Sequence, residues 1–538
     1  MKKVVFVFAL LIAFGCAPAL VGARGQAGKP KLVVFLVVDQ MRGDYPVRYA
    51  SLLEHGLKRL TTQGAWYRNA AYPYLSTVTC AGHSTIGTGT LPWHHGMIAN
   101  GWLDRETQKV VTCNADPSAS EVSYAAFSGP GDSAKSLMMP TLAETMRQQL
   151  KSRVATMAIK ARSAIGLAGH EGDFVTWFSD RLAWETSTAF AKAPVGWFVN
   201  YLKGNPPTRD SDKVWERTLP VERYQGDDDA PGERQLPGWS AKFPHPLGPS
   251  GDAAYYAHWV QSPFADDYLG EMAAAAVDQM HLGTQDRIDF LGVSFAMLDS
   301  VGHSFGPRSH EVQDVLVRLD ATIGKLLDHL DKTVGAGNYI VALTADHGVG
   351  DIPEQVTGGG RLPITAVRTT MEAAVKTALG GDGPFDVVVS TNDVYFKPGV
   401  YERLKDRPAA LKSVLDNANA LPGIVRVLTR DEISTAAART SDDPQVRAAA
   451  LSYYAGRSGD LTLILRENWQ MTGAGTTHGT LYGYDQRVPV ILYGAAIAAG
   501  VHETPATPAD LAPTIASIVG MTLPSPDGHV LSAALKRN

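Results

Sequence analysis

The sequence predicts an α/β fold: a central, largely parallel sheet with helices on both faces, interrupted by inserted cap segments. Three observations predict it. Unbroken apolar runs recur along the chain without polar alternation, the pattern of strands covered on both faces. Helical stretches, amphipathic or alanine-rich, separate several of them. Three runs end in an aspartate and a fourth ends in Lys160 and Arg162, and functional groups of parallel sheets collect beyond the carboxyl ends of the strands.

In chain order, Lys2-Lys3, the eleven-residue apolar run Val4–Phe14 and the small residues Val21-Gly22-Ala23 read as a signal peptide over residues 1–23. The run is too short for a comfortable membrane span, so no transmembrane anchor is expected after cleavage. Acylation at Cys16 is the competing reading, and Ala13-Phe14 is a poor approach to it. The mature chain, 24–538, is expected to be one large domain placed in the periplasm or outside the cell. Lys31–Gln40 (KLVVFLVVDQ) is the first strand and ends in Asp39.

Between Tyr72 and Arg105 a short apolar lead-in reaches Ser76-Thr77-Val78-Thr79, small residues open a helix, and Gly87 and Gly89 close it. A helix N-terminus carries unpaired N–H groups and the positive end of the dipole, so a hydroxyl there meets anions. Thr79 is therefore either an N-cap or a nucleophile toward a phosphate or sulfate ester. Signal cleavage would leave two cysteines, Cys80 and Cys113, readable as a disulfide or as two inert buried thiols.

Arg153–Arg162 reads as a strand whose Lys160 and Arg162 project to one side. Asp289–Asp299, Asn338–Asp346 and Arg487–Gly494 are further strands. The clearest helix is Ser309–Leu330, with Val312, Val315, Leu316, Leu319, Ile323, Leu326 and Leu327 on one stripe; Tyr268–Val277 is a second. Insertions are expected at about 172–262, irregular and rich in aromatics and acid, and at about 353–450, a small α+β cap. With 45% hydrophobic residues, a net charge of −5 and no basic run, the chain has material for a large core and no sign of a nucleic-acid module.

The chemistry-bearing residues are Asp39, Asp299, His303, Asp346, His347 and His478. Mixed Asp/His sets suit zinc at about four ligands per ion. Six such residues are too many for one ion and fit two that share exogenous oxygens, the arrangement that clamps both ends of an in-line phosphoryl transfer. Singly, each could be a helix cap or a structural histidine. His83, His94 and His95 read as structural.

VVDQMRGD around Asp39, TVTCAGHSTIGTG around Thr79, MLDSVGHSFGP around Asp299, LTADHGVG around Asp346, THGTLYGYDQRVPVILYG around His478 and the terminal TPADLAPTIASIVG together resemble the alkaline phosphatase superfamily. Within it they are similar to the secreted zinc-dependent alkaline phosphatases of the PhoK and PafA type, which use a threonine nucleophile. The resemblance implies two zinc ions. One is held by Asp299, His303 and His478, the other by Asp39, Asp346, His347 and the Thr79 hydroxyl. It also implies phosphate contacts from Asn100, Lys160 and Arg162, and a phosphothreonine intermediate in monoester hydrolysis, with small phosphate esters as substrates. Nothing in the sequence supports an additional Ca2+. A nucleotide pyrophosphatase/phosphodiesterase is the nearest alternative. A sulfatase lacks support because Cys80 is followed by Ala-Gly-His-Ser rather than x-Pro-x-Arg, and a non-catalytic binder would have no use for Thr79.

Overall fold

The computed structural model describes Met1, residues 29–381 and residues 383–537; the expected signal segment, with Cys16, otherwise lies outside the described residues. Eleven strands form the main sheet: β1 (Leu32–Val38), β2 (Ala65–Tyr67), β3 (Ala115–Ser123), β4 (Pro130–Asp132), β5 (Val154–Ala158), β6 (Phe174–Phe178), β7 (Trp184–Ser187), β8 (Asp289–Phe295), β9 (Tyr339–Thr344), β10 (Val490–Gly494) and β11 (Gly500–His502). Their spatial order is β11-β2-β10-β9-β1-β8-β5-β6-β7-β3-β4. The centre, β9-β1-β8-β5-β6, is parallel throughout. Antiparallel pairings begin at β10 and β7 on either side.

The unbroken apolar composition of β1 follows from its place in the middle. Leu32, Val34, Leu36 and Val38 enter one core, and Val33, Phe35 and Val37 enter the other. Each fully buried aliphatic of this size contributes about 1.5–3 kcal/mol, so a polar residue on either face would be costly. Six helices frame the functional end or cover the sheet: α1 (Thr79–Thr88), α2 (Ala161–Ala168), α3 (Phe264–Gln279), α4 (Met297–Phe305), α5 (His310–Leu330) and α6 (Leu511–Val519). The seven stripe residues expected on α5 are all buried, and the Ser309 hydroxyl caps that helix by accepting the Val312 N–H at 3.1 Å. α3 and α5 supply the first core, while α6 and Ile86 of α1 supply the second.

Two readings of local structure change. The run Arg153–Arg162 is a strand only to Ala158; Lys160 is the residue before α2, and Arg162 lies in its first turn. Likewise β8 stops at Phe295 rather than running to Asp299, and Asp299 and His303 sit on α4. The i, i+4 spacing therefore places both on one helix face.

Between β6 and α3, Trp184, Phe198, Trp215, Trp239, Tyr255 and Trp259 anchor an otherwise irregular stretch to the first core. A small antiparallel sheet, ordered Val388–Ser390, Asp393–Tyr395, Leu461–Leu465, Ile424–Thr429, packs with the helices Ile364–Leu379 and Pro408–Asn419 around its own core. Its hairpin turn has Thr391 at φ 53° and delivers Asn392, whose Nδ2 donates to Gly479 O at 2.6 Å beside His478. No described helix is long and apolar enough to cross a membrane.

Candidate active site

Register puts the strand ends level. Val38 faces Phe295, Val37 faces Thr344 and Ala158 faces Ser294, so Asp39, the start of α4, Asp346 and Lys160 all leave the sheet at one edge. Asp266 of α3 fixes α4 there, accepting the Ala296 and Met297 N–H groups at 3.0 and 3.2 Å. These amides open α4 and would otherwise lack partners.

Three imidazoles share one arrangement. Nδ1 lies 2.8 Å from Thr476 O in His303, 2.9 Å from Gly348 O in His347 and 2.7 Å from Thr77 O in His478. A carbonyl oxygen only accepts, so each Nδ1 carries the proton, and in a neutral ring Nε2 presents a lone pair. All three Nε2 atoms turn to the carboxylates. His303 and His478 come within 3.1 and 3.7 Å of Asp299 Oδ1, and His347 lies 3.5 Å from Asp39 Oδ1 and 3.4 Å from Asp346 Oδ2. The His347 and His478 rings stack with centroids 3.5 Å apart. Lone pairs facing carboxylate oxygens repel unless a proton or a cation stands between them. Burial holds His478 well below the usual histidine range, so a cation is the fitting partner for its Nε2. Asp39 Oδ1, Asp346 Oδ2 and His347 Nε2 are buried with no hydrogen-bond partner among the described residues. Asp299, His303 and His478 offer ligand atoms within 4.8 Å of one another, as do Asp39, Asp299 and His347.

The carboxylates feel each other. Burial, then the charges of Asp299 and Asp346, push Asp39 up to about 8. For Asp299, burial acts upward, but His303 and Lys160 outweigh it and hold the group well below the carboxylate range. The Lys160 ammonium bridges Asp39 Oδ2 at 2.6 Å and Asp299 Oδ2 at 2.5 Å. Despite burial, those two charges raise its pKa, so it stays charged. A site that draws an ammonium between two carboxylates is one with an excess of negative charge to neutralise.

Thr79 opens α1 and is buried. The helix reaches the Asp346 segment only because position 82 is glycine: a Cβ there would lie 2.1 Å from Asp346 O and 2.6 Å from Asp346 Cβ. One turn on from Thr79, His83 Nδ1 lies 3.0 Å from Thr79 O and 3.2 Å from Asp346 Oδ2, while its Nε2 lies 2.8 Å from Ser294 Oγ. Asn100 Oδ1 accepts the Cys80 N–H at 2.9 Å, using one of the free amides of the first turn. Cys80 and Cys113 are disulfide-bonded, which ties α1 to the strand pair that follows Asn100. Asn100, His303 and His478 line a cavity of about 270 Å³ whose other walls, Thr391, Asn392 and Met471 among them, come largely from the small subdomain and the loops beside it. Arg162 stands apart. It lines a second cavity, about 640 Å³, with Lys160 and Ser300, and makes no hydrogen bond or ion pair with the other site residues among those described.

Sequence reasoning overlooked Gln40. Its backbone is left-handed at φ 69°, its N–H donates to Asp346 Oδ1 at 3.1 Å and its Nε2 to Asp299 Oδ1 at 2.5 Å. Direct adjacency to Asp39 at a strand end was the available signal. His83, read as structural, touches Asp346 directly.

Residues 33–485 match the model of the family described as type I phosphodiesterase / nucleotide pyrophosphatase. The chain belongs to that family. Among curated relatives of this type I phosphodiesterase family member, alkaline phosphatase PhoV of Synechococcus elongatus is 32% identical over 94% of this chain and 93% of its own. Alkaline phosphatase PafA of Elizabethkingia meningoseptica is 32% identical over 92% and 93%. A crystal structure of wild-type PafA superposes with a TM-score of 0.86 at 30% identity, covering 95% of this chain and all of that one. Murine ectonucleotide pyrophosphatase / phosphodiesterase 5, at 12% identity and a TM-score of 0.53, shares the fold. Family and relatives together support a phosphoric ester hydrolase on this fold.

Proposed function

We propose that the protein is a secreted alkaline phosphatase that hydrolyses phosphate monoesters through a phosphothreonine at Thr79. The observation that carries this reading is the set of three Nδ1-anchored imidazoles whose Nε2 atoms converge on Asp39, Asp299 and Asp346. Anchoring of the distal ring nitrogen by a backbone carbonyl is how proteins orient metal-binding histidines. Asp299, His303 and His478 would hold one zinc, and Asp39, Asp346, His347 and the Thr79 hydroxyl the other. When bound, two such ions lower the pKa of a coordinated hydroxyl and neutralise charge on the phosphoryl group.

The rest is done by the chain. Thr79, at a helix N-terminus, attacks phosphorus as the ester oxygen departs in line, and the free amides of the first turn favour the anion that forms there. Water then cleaves the phosphothreonine, releasing phosphate and restoring the hydroxyl. Asn100, with Oδ1 occupied by Cys80 N–H, has its amide NH2 to donate to a non-bridging oxygen. Lys160, relieved of Asp39 and Asp299 once other cations neutralise them, supplies a charge-assisted hydrogen bond, and Arg162 a second from the α2 side.

The family's name favours a second reading, a phosphodiesterase. Two cationic side chains beside one phosphoryl group suit the more highly charged monoester. The deciding experiment compares kcat/KM for p-nitrophenyl phosphate and bis-p-nitrophenyl phosphate on protein of measured zinc content. A ratio in favour of the monoester supports the proposal, and a ratio in favour of the diester replaces it with the alternative.

A further inference from the structure

One residue that the proposed chemistry does not use touches both sets of candidate ligands. β1 ends at Val38, and the Met41 N–H donates back to Val38 O at 3.1 Å, so Asp39 and Gln40 are the middle of a tight turn. Gln40, third in that turn, has φ 69°, a left-handed backbone that glycine or asparagine adopts at lower cost. A long side chain held in such a conformation is over-determined by its surroundings. Here the side chain is buried, and its Nε2 donates to Asp299 Oδ1 at 2.5 Å. That oxygen is the one faced by the Nε2 atoms of His303 and His478. The Gln40 N–H donates to Asp346 Oδ1 at 3.1 Å, an oxygen that also accepts the His347 N–H. Both backbone donors fall on Oδ1, which leaves Asp346 Oδ2 without a hydrogen bond, 3.4 Å from His347 Nε2. Room for the Gln40 amide comes from α4. A Cβ on Gly302 would stand 2.0 Å from Gln40 Oε1, so the side chain keeps this position only beside a glycine.

We propose that Gln40 is a positioning residue that couples the two ligand sets, fixing Asp299 of one against Asp346 of the other. This rests on the two-ion reading of the site. Lys160 also bridges ligands, Asp39 and Asp299, but as a cation it is repelled by any ion that binds them. The Gln40 amide is neutral. It keeps its hydrogen bond to Asp299 beside a bound cation, because a carboxylate oxygen has lone pairs for a donor and for an ion together. A hydrogen bond of this kind orients the ligand carboxylate, and its loss lowers metal affinity by about 10–100-fold. The two contacts differ in what a substitution removes. The one to Asp346 belongs to the backbone and survives replacement of the side chain. The one to Asp299 belongs to the side chain, so Gln40 acts on the Asp299, His303 and His478 set.

The test is zinc affinity of the full chain, measured by competition with a fluorescent chelator, with melts of the metal-free protein in parallel. Wild type should bind two zinc ions. Q40G relieves the left-handed backbone and removes the amide, so its metal-free melting temperature should stay within a few degrees of wild type. One zinc-binding step should weaken by about tenfold or more while the other keeps its affinity. A role in folding alone predicts the reverse, a lower melting temperature with both steps intact. G302A should weaken the same step, since its methyl displaces the amide, and should add nothing in a Q40G background. Wild-type affinity at both steps in Q40G would overturn the proposal and leave the two-ion reading standing. A further loss on adding G302A to Q40G would overturn it as well, because the methyl would then act through α4 itself. Wild-type protein that binds fewer than two zinc ions would overturn the two-ion reading and the proposal with it.

Discussion

Gly82→Ala separates ordinary helix energetics from the geometry of the site. In an exposed helix interior this change stabilises by about 1 kcal/mol, because alanine is the better helix former. Here the added methyl would stand 2.1 Å from Asp346 O and 2.6 Å from Asp346 Cβ. A carbon–oxygen contact relaxes only near roughly 3.3 Å, so α1 and the Asp346 segment must separate by about 1.2 Å. Overpacking of this kind costs about 1–3 kcal/mol, which cancels or exceeds the propensity gain. The displaced groups are the helix of the proposed nucleophile and a residue proposed as a metal ligand, and a 1 Å misplacement near reacting atoms costs about 10²-fold in rate. G82A should therefore fold with a melting temperature within a few degrees of wild type yet lose about two orders of magnitude in kcat on p-nitrophenyl phosphate. A variant with raised stability and undiminished kcat would refute the claim that α1 must touch Asp346 for catalysis.

Other outcomes follow from the same geometry. Thr79→Ala should keep its fold and its metals and lose turnover; near-normal rates would remove Thr79 from the chemistry. Arg162→Ala should lower kcat/KM for monoesters far more than for diesters, and an equal loss on both would deny Arg162 a role in reading phosphoryl charge. Chelation with EDTA should abolish activity and zinc should restore it, whereas rescue by magnesium alone would point to a different ion. The Glu311 carboxyl, fully buried in the first turn of α5 and raised by burial to about 8, keeps a proton that the unfolded chain sheds above its ordinary value of 4.5. The protonated form is the stabilising one, so its contribution is complete below pH 4.5 and is lost as pH rises through about 8. E311Q should flatten the fall of melting temperature across that window, and an unchanged slope would contradict the assignment.

The sheet was legible because a centrally placed parallel strand must be apolar on both faces. β1, β8 and β9 announce themselves as unbroken Val, Leu, Ile and Phe, and an aspartate marks the level at which two of them leave the core. Strand length was less legible. In RVATMAIKAR nothing in the composition separates strand from helix, and the break at Ile159-Lys160 is followed by α2, which packs against α1 through Gly166. Asp299 reads from sequence as the last residue of a strand for a related reason: α4 begins where Asp266, some thirty residues earlier, supplies the cap, and no local pattern reports that. Among the site residues, those with metal-binding chemistry at a strand end could be named from sequence. For Gln40 the sequence offered only adjacency to Asp39, because its contacts depend on a left-handed backbone and on two carboxylates from distant segments.

The most direct measurement is anomalous diffraction at the zinc absorption edge from crystals of the metal-loaded protein. Two peaks roughly 4 Å apart are expected, one within coordination distance of Asp299, His303 and His478, the other of Asp39, Asp346, His347 and the Thr79 hydroxyl. A single peak, or a pair from which Thr79 points away, would contradict the proposed catalytic site.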